Sequence, residues 1–246
     1  MRRFFVPAEY LTGSEVIIGG ETFHHMAKVL RLKKNTEVLL FDGEGNVRGA
    51  VLRDIHADSL VLDLLKHAPS AGPSPAPAIT LYQGLPKGDK IDHILQKATE
   101  IGAAAIIPFQ AERSVRRIDQ GRESGILARW QRIVRESSRQ CGRNDVPEVA
   151  FSLGLGEAIK ADRSSVKLLL WEEQGLAGLK DVLDTVTLPT TISIIIGPEG
   201  GIAPKEAAIA REHGFVPVSM GKRIVRTETA GIVILSILQF VWGDIG

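Results

Sequence analysis

Short apolar runs recur through the C-terminal part of this chain, and each is closed by a polar or glycine-containing segment. They are Ile79 to Gln83, Ala104 to Phe109, Val166 to Trp171, Thr191 to Ile196 and Phe215 to Met220. Strands that are apolar at nearly every position, rather than every second one, are buried on both faces. Helical patterns lie between them. Asp89 is placed to cap a helix whose inner face is Ile91, Ile94, Leu95, Ala98 and Ile101, with Gly102 as its stop. Ile126 to Gln140 puts Leu127, Trp130, Ile133 and Val134 on one side. Pro204 suits the first turn of a helix running to about His213, and Glu228 to Trp242 reads as a final helix. Strands alternating with helices mean an α/β domain with a mainly parallel sheet.

The sharpest change in composition is APSAGPSPAPA, Ala68 to Ala78, which reads as a semi-extended linker. Before it the pattern is β. Glu37 to Phe41 and Val47 to Arg53 flank the turn Asp42-Gly-Glu-Gly-Asn46, a hairpin signal, and Leu60 to Leu65 is a further strand. Phe23 to Leu30 reads as a short helix. The expected organisation is a small β-barrel over 1–68, a linker over 69–77 and the α/β domain over 78–246.

A chain of 246 residues, 44% of them hydrophobic, has ample material for a core. The Ala230 to Trp242 stretch is too short to span a bilayer, so no membrane partner is expected. MRRFFVPAEY lacks the apolar run of a secretory signal, and the single cysteine, Cys141, excludes an internal disulfide, so a cytoplasmic location is expected. The net charge of +1 points to no partner, but the charge is unevenly spread. Ala111 to Arg143 holds nine arginines and no lysine, and His24 to Lys34 holds Lys28, Arg31, Lys33 and Lys34 with no acid. Such segments are either solvated faces or phosphate-binding surfaces.

In open α/β sheets, ligands bind beyond the carboxyl ends of strands. Three loops qualify: Leu170-Trp-Glu-Glu173, Ile196-Gly-Pro-Glu-Gly-Gly201, and Met220 to Ala230, which leads into the last helix. Other signatures fail. Gly84 to Lys90 lacks the spacing and hydroxyl residue of a P-loop, and Gly154 to Ile159 lacks the third glycine of a dinucleotide fingerprint. The six histidines show no ligand spacing, so no metal is expected.

IGPEGG at Ile196 followed by MGKRIVRTETA at Met220 resembles the SPOUT family of methyltransferases. Within it, the likeness is to bacterial enzymes acting on N3 of a uridine in 16S ribosomal RNA. Supporting segments are MRRFFV at Met1, HHMAKVLR at His24, GLPKGDKID at Gly84, KATEIG at Lys97 and RWQRIVRESSRQCGR at Arg129. The resemblance implies a trefoil-knotted C-terminal domain, a PUA-like N-terminal barrel and a homodimer in which the final helix takes part. It implies uridine 1498 of 16S ribosomal RNA, in the 30S subunit, as the target. It also implies S-adenosylmethionine bound by Leu170, Trp171, Gly197, Pro198, Glu199, Gly201, Met220, Gly221, Ile224, Val225 and Thr229.

For such chemistry Arg226 is the first candidate to stabilise negative charge on the uracil oxygens, the alternative being an arginine that only fixes its loop. Glu228 is a candidate to accept the N3 proton or hydrogen-bond the base, the alternative being an acid favoured by the helix dipole. Arg2, Arg3, Lys28, Arg31 and Lys33, with Arg113, Arg116, Arg135, Arg139 and Arg143, are the expected RNA contacts. Two other readings stand beside this one: methylation of a ribose 2′-oxygen, and a ribosome-binding factor without catalysis.

Overall fold

The structure, a computed structural model, describes residues 1–66, 76–119, 121–173 and 175–245. The expected linker lies mostly outside them. The chain forms two compact units, one of Met1–Ser74 with Arg135–Val146, the other of Pro75–Val134 with Pro147–Gly246.

In the first unit the elements are β1 (Arg2–Phe5), β2 (Glu15–Ile18), a single helical turn α1 (Gly20–Phe23), β3 (Glu37–Phe41), β4 (Val47–Ile55) and β5 (Leu60–Leu64). The segment expected to be a short helix is α1 running into a π-helical stretch, His24–Val29. The sheet order is β1-β3-β4-β5-β2, with β1 parallel to β3 and the other pairs antiparallel. Inward side chains, among them Phe4, Ile18, Met26, Leu40, Leu52 and Leu62, close one apolar core. The predicted hairpin forms as β3–β4. Asp42 holds its turn by accepting from the Glu44 and Asn46 backbone N–H groups at 2.8 and 3.1 Å. The same turn receives residues 143–146: Val146 N–H donates to Gly43 O at 2.9 Å and Gly45 N–H to Asn144 O at 3.3 Å. Strands β1 and β2 were not anticipated, because four residues are too few for a period-two pattern to show.

The second unit runs β6 (Ala78–Gly84), α2 (Lys90–Glu100), β7 (Ala105–Phe109), α3 (Glu123–Cys141), β8 (Glu148–Val149), α4 (Leu155–Ile159), β9 (Val166–Leu170), α5 (Leu179–Leu183), β10 (Thr191–Ile196), α6 (Pro204–Glu212), β11 (Val216–Val218) and α7 (Thr227–Trp242). Residues of α3 from Arg135 onward belong to the first unit. The sheet order is β11-β9-β10-β6-β7-β8 and every pair is parallel. Gly102 ends α2 at φ +98°, but Asp89 makes no side-chain cap bond, contrary to expectation. In α3, Trp130 and Val134 are buried, while Leu127 and Ile133 are only half-buried. The short elements β8, α4 and α5 carry too little periodicity to be read in advance. No helix among the described residues is long and apolar enough to cross a membrane.

Between β6, β9 and β10 the sheet encloses a charged network. The Asp162 carboxylate, almost wholly buried, accepts from Tyr82 Oη at 2.9 Å, the Ser164 backbone N–H at 2.9 Å and the Ser193 hydroxyl, and pairs with Lys167 Nζ at 3.2 Å. Burial alone would push this carboxyl up; the hydrogen bonds from Ser193, Ser164, Tyr82 and Lys167 outweigh it and hold Asp162 below the usual carboxylate range. Burial and the neighbouring carboxylate raise Tyr82. A depressed folded-state pKa contributes stability that is present above the unfolded pKa and lost as pH falls through the folded one. Asp162→Ala should therefore cost about 3–5 kcal/mol at neutral pH, by leaving Lys167 uncompensated. Denaturant melts should show this gap closing on acidification below the ordinary carboxylate range.

Candidate functional site

The register of the parallel sheet sets the site. Val218 pairs with Leu170, Leu170 with Ile196, Ile196 with Gln83, and Gln83 with Pro108. Five strands thus end in one row, and the chain leaves it in loops that include all three picked out from the sequence. The loop after β10 and the start of α7 are joined directly: Thr227 Oγ1 donates to Gly197 O at 2.6 Å.

Close packing in this row depends on missing side chains. A Cβ on Gly84 would lie 2.5 Å from Pro198 Cδ and 2.6 Å from Pro198 N. One on Gly197 would lie 2.9 Å from the Gly201 carbonyl carbon, and one on Gly200 3.0 Å from Arg113 Cβ and O. Gly201, at φ +71°, closes the turn by donating its N–H to Pro198 O at 2.9 Å.

Electrostatics centre on Lys90, the first residue of α2. Its ammonium donates to Glu199 Oε1 at 2.9 Å and Glu228 Oε2 at 3.3 Å, bridging the loop after β10 to the first turn of α7. The Lys87 backbone N–H donates to both Glu199 oxygens, at 3.3 and 3.1 Å. Burial tends to raise Glu199, but the bonds from Lys90 and the backbone prevail and hold it below the usual range. Lys90 is held above its usual range, chiefly by its bond to Glu199. Arg226 is the N-cap residue of α7 and is exposed; Glu228 is half-buried beside it.

An open groove of about 440 Å³ borders this region. Gly178, Leu179 and Leu183 line one side, Ser219 to Gly221 the end, and Val233, Ile237 and Val241 of α7 the other side. Of the residues expected to hold a cofactor, Met220 and Gly221 face it. Gly197, Pro198, Glu199 and Gly201 form the neighbouring turn, while Ile224, Val225 and Thr229 sit on or just before the first turn of α7. Leu170 ends β9, and the Trp171 ring turns toward α6, where Arg211 Cζ stands 5.0 Å from its centroid. Lys90, Gln83 and Thr227 were not singled out from the sequence. Only Lys90's place in GLPKGDKID hinted at a role, because its carboxylate partners lie more than a hundred positions away.

The arginines separate by unit. In the first, Arg2, Lys28, Arg31 and Lys33 are exposed, and Arg31 has an uncommon φ of +49°. Arg3 is half-buried over Phe41 and donates to Arg143 O at 3.0 Å; Arg135 lies 4.3 Å over Phe5. Arg139 pairs with Glu136 at 2.8 Å, and Arg143 pairs with Asp145. In the second unit, Arg113 donates to Gly200 O at 3.3 Å and Arg116 to Gly88 O at 2.6 Å, so both brace the loops of the site. Among the described residues no group of three or more His, Cys, Asp or Glu is arranged to hold a metal.

Comparison with known proteins bears on what this arrangement is. An RNA methyltransferase domain model matches residues 73–239, and an RNA methyltransferase PUA domain model matches residues 18–65. The ribosomal RNA small subunit methyltransferase E of Bacillus subtilis is 30% identical, over 98% of this chain and 96% of that protein. The chain belongs to the ribosomal RNA small subunit methyltransferase E family. The solved structure of the Neisseria gonorrhoeae methyltransferase E, bound to S-adenosylmethionine, is 35% identical with a TM-score of 0.88 and covers both chains completely. A Legionella pneumophila putative methyltransferase in complex with the same cofactor is 30% identical, with a TM-score of 0.88 over 99% of this chain and 98% of that one. The reading of the motifs as those of a ribosomal RNA methyltransferase, the PUA-like domain implied by the resemblance and the mainly parallel α/β sheet are thereby borne out. Gly84→Ala should cost this methyltransferase about 1–3 kcal/mol in denaturant melts, since the added methyl meets backbone. Gly125→Ala in α3, with open space around it, should be neutral or stabilising.

Proposed function

We propose that this protein transfers a methyl group from S-adenosylmethionine to N3 of one uridine in 16S ribosomal RNA of the small subunit. The observation that carries the reading is the joining of the IGPEGG turn to the RTETA helix start, through Thr227 and Lys90, at the level row of strand ends. The local shape suits the cofactor. A groove with an apolar wall ends in the backbone of Ser219 to Gly221, beside a turn in which a Cβ on Gly197 would lie 2.9 Å from the Gly201 carbonyl carbon. Leu170, Trp171, Gly197, Pro198, Glu199, Gly201, Met220, Gly221, Ile224, Val225 and Thr229 are the residues proposed to hold it, in a knotted chain path. S-adenosylmethionine supplies an electrophilic methyl group on a cationic sulfur.

The chain's own part is alignment and charge. Uracil N3 reacts as its anion, whose charge spreads to O2 and O4. In this reading the exposed Arg226 guanidinium, at the N-cap of α7, meets one of those oxygens, where the helix N-terminus also favours negative charge. Glu228, tied to Lys90 through one oxygen, accepts the N3 proton or holds the base by a hydrogen bond. Cys141 has no step to perform, since no covalent adduct is required at N3.

RNA is assigned to Arg2, Arg3, Lys28, Arg31, Lys33, Arg135, Arg139 and Arg143 of the first unit and to Arg113 and Arg116 of the second. In this reading residues 1–68 serve RNA binding, and 78–246 serve catalysis together with the RNA contacts of Arg113, Arg116, Arg135, Arg139 and Arg143, in the cytoplasm. We also assign a homodimer to α7, whose Phe240, 71% exposed, adjoins the groove wall of Val233, Ile237 and Val241.

The test is methyl transfer to 30S subunits from cells lacking this protein, with mass mapping of the product nucleoside. The expected product is N3-methyluridine at one site. Arg226→Ala should lower kcat about 10²–10³-fold, and Glu228→Ala at least about 10²-fold. A 2′-O-methyl product would overturn the substrate atom, and RNA binding without donor binding would make this a non-catalytic ribosome factor. Phe240→Asp should convert a dimer to a monomer in equilibrium sedimentation; a wild-type monomer would remove the dimer assignment.

A further inference from the structure

Gln83, the residue before the last of β6, is fully buried, yet neither charge nor motif drew attention to it. Its Nε2 donates to Thr227 Oγ1 at 2.8 Å and to Gly84 O at 3.0 Å. Thr227 Oγ1 in turn donates to Gly197 O at 2.6 Å. A hydroxyl has one proton, so with that proton given to Gly197, Thr227 can only accept from Gln83. The direction of this chain of bonds is therefore fixed. The opposite amide orientation would set Oε1 against two acceptors, so the hydrogen-bond network assigns Nε2 to Thr227.

Two features separate this network from ordinary core hydrogen bonding. Gln83 Oε1 is buried without a hydrogen-bond partner among the described residues, and it faces Gly231, whose Cβ would stand 3.7 Å away. Leaving a buried acceptor unpaired is costly, and an apolar side chain of similar size would avoid that cost. The amide is kept where its other end holds Thr227 and, through the Thr227 hydroxyl, the Gly197 carbonyl. Gly197 opens the IGPEGG turn, and Thr227 stands between Arg226 and Glu228 at the first turn of α7.

We infer that Gln83 and Thr227 form a positioning relay that fixes the Gly197 carbonyl and the start of α7, so that the donor-binding turn and the Arg226–Glu228 pair keep one geometry. The inference rests on the S-adenosylmethionine reading above. Neither residue touches the reacting atoms in it; both act through Gly197 and through the helix start. Disturbing either should loosen the turn before any donor is present and weaken donor binding as well as transfer.

The experiment uses the full-length chain with the variants Thr227→Val, Thr227→Ser, Gln83→Leu and the Thr227→Val/Gln83→Leu double. Calorimetry measures S-adenosylmethionine binding, amide exchange measures the Ile196–Gly201 backbone without donor, and a cooperative melt checks folding. Thr227→Val should weaken binding about tenfold and speed exchange at the turn, and Thr227→Ser, which keeps the hydroxyl, should stay within about twofold of wild type. Gln83→Leu should match Thr227→Val, and the double variant should be no weaker than either single, since all three break one relay. If wild type binds the donor and folded Thr227→Val binds and exchanges like it, the relay is packing alone and the inference fails. Full additivity in the double variant overturns it too. If wild type binds no S-adenosylmethionine, the donor-site reading falls and takes the relay with it. Should Gln83→Leu fail to fold, the Val and Ser variants of Thr227 decide the matter.

Discussion

In the six-stranded sheet, β10 pairs in parallel with β6 on one side and β9 on the other, and both pairings set Ile196 level with its neighbours, Gln83 and Leu170. The chain order reverses at β10 and β6, the kind of position where open α/β sheets open a crevice. A shift of one residue in the pairing of β6 with β10 would carry Gln83 to the opposite face, away from Thr227. It would also separate Gly84 from Pro198, which approach so closely only because Gly84 has no side chain. The site is in this sense a consequence of register, and the loops add chemistry to a geometry the strands already hold.

Two charged clusters in the second unit obey different physics. Asp162 and Lys167 are withdrawn from water, so the donors around the carboxylate together offset its burial, and losing one charge of the pair leaves the other stranded. Lys90, Glu199 and Glu228 are partly exposed, where an ion pair contributes little to stability. Their value lies in orientation. One ammonium ties two carboxylates from different loops, and it holds them in place without hiding them from a substrate. The first cluster belongs to the folded state, and the second joins the loop after β10 to the start of α7.

The arginine-rich segment does not act as one surface. Arg135 and Arg143 are engaged within the first unit, over Phe5 and with Asp145, while Arg113 and Arg116 bond to backbone carbonyls of the loops in the second. An arginine fork offers several donors, so bracing a loop does not exclude contact with phosphate. Lys28, Arg31, Lys33 and Lys34 remain exposed, Lys28 on the π-helical stretch and Arg31 at a positive φ, which no charge pattern reveals.

The sequence by itself determined the fold class and the motif loops, while the grouping of Arg135–Val146 with the first unit was decided by the tertiary structure. Apolar runs such as Thr191 to Ile196 and the amphipathic α2 are local signals, set by residues close together in the chain. It also carried the resemblance that family membership bears out, because IGPEGG and RTETA are contiguous strings. Strands β1 and β2, helices α4 and α5, and the docking of residues 143–146 on the β3–β4 turn were settled only in three dimensions. Their stabilising contacts come from distant parts of the chain and leave no periodic trace. The same holds for Gln83 with Thr227 and Lys90 with Glu228, pairs 144 and 138 positions apart. A hydrogen bond requires its partners within about 3 Å, and only the parallel register of β6, β9 and β10 brings such residues that close.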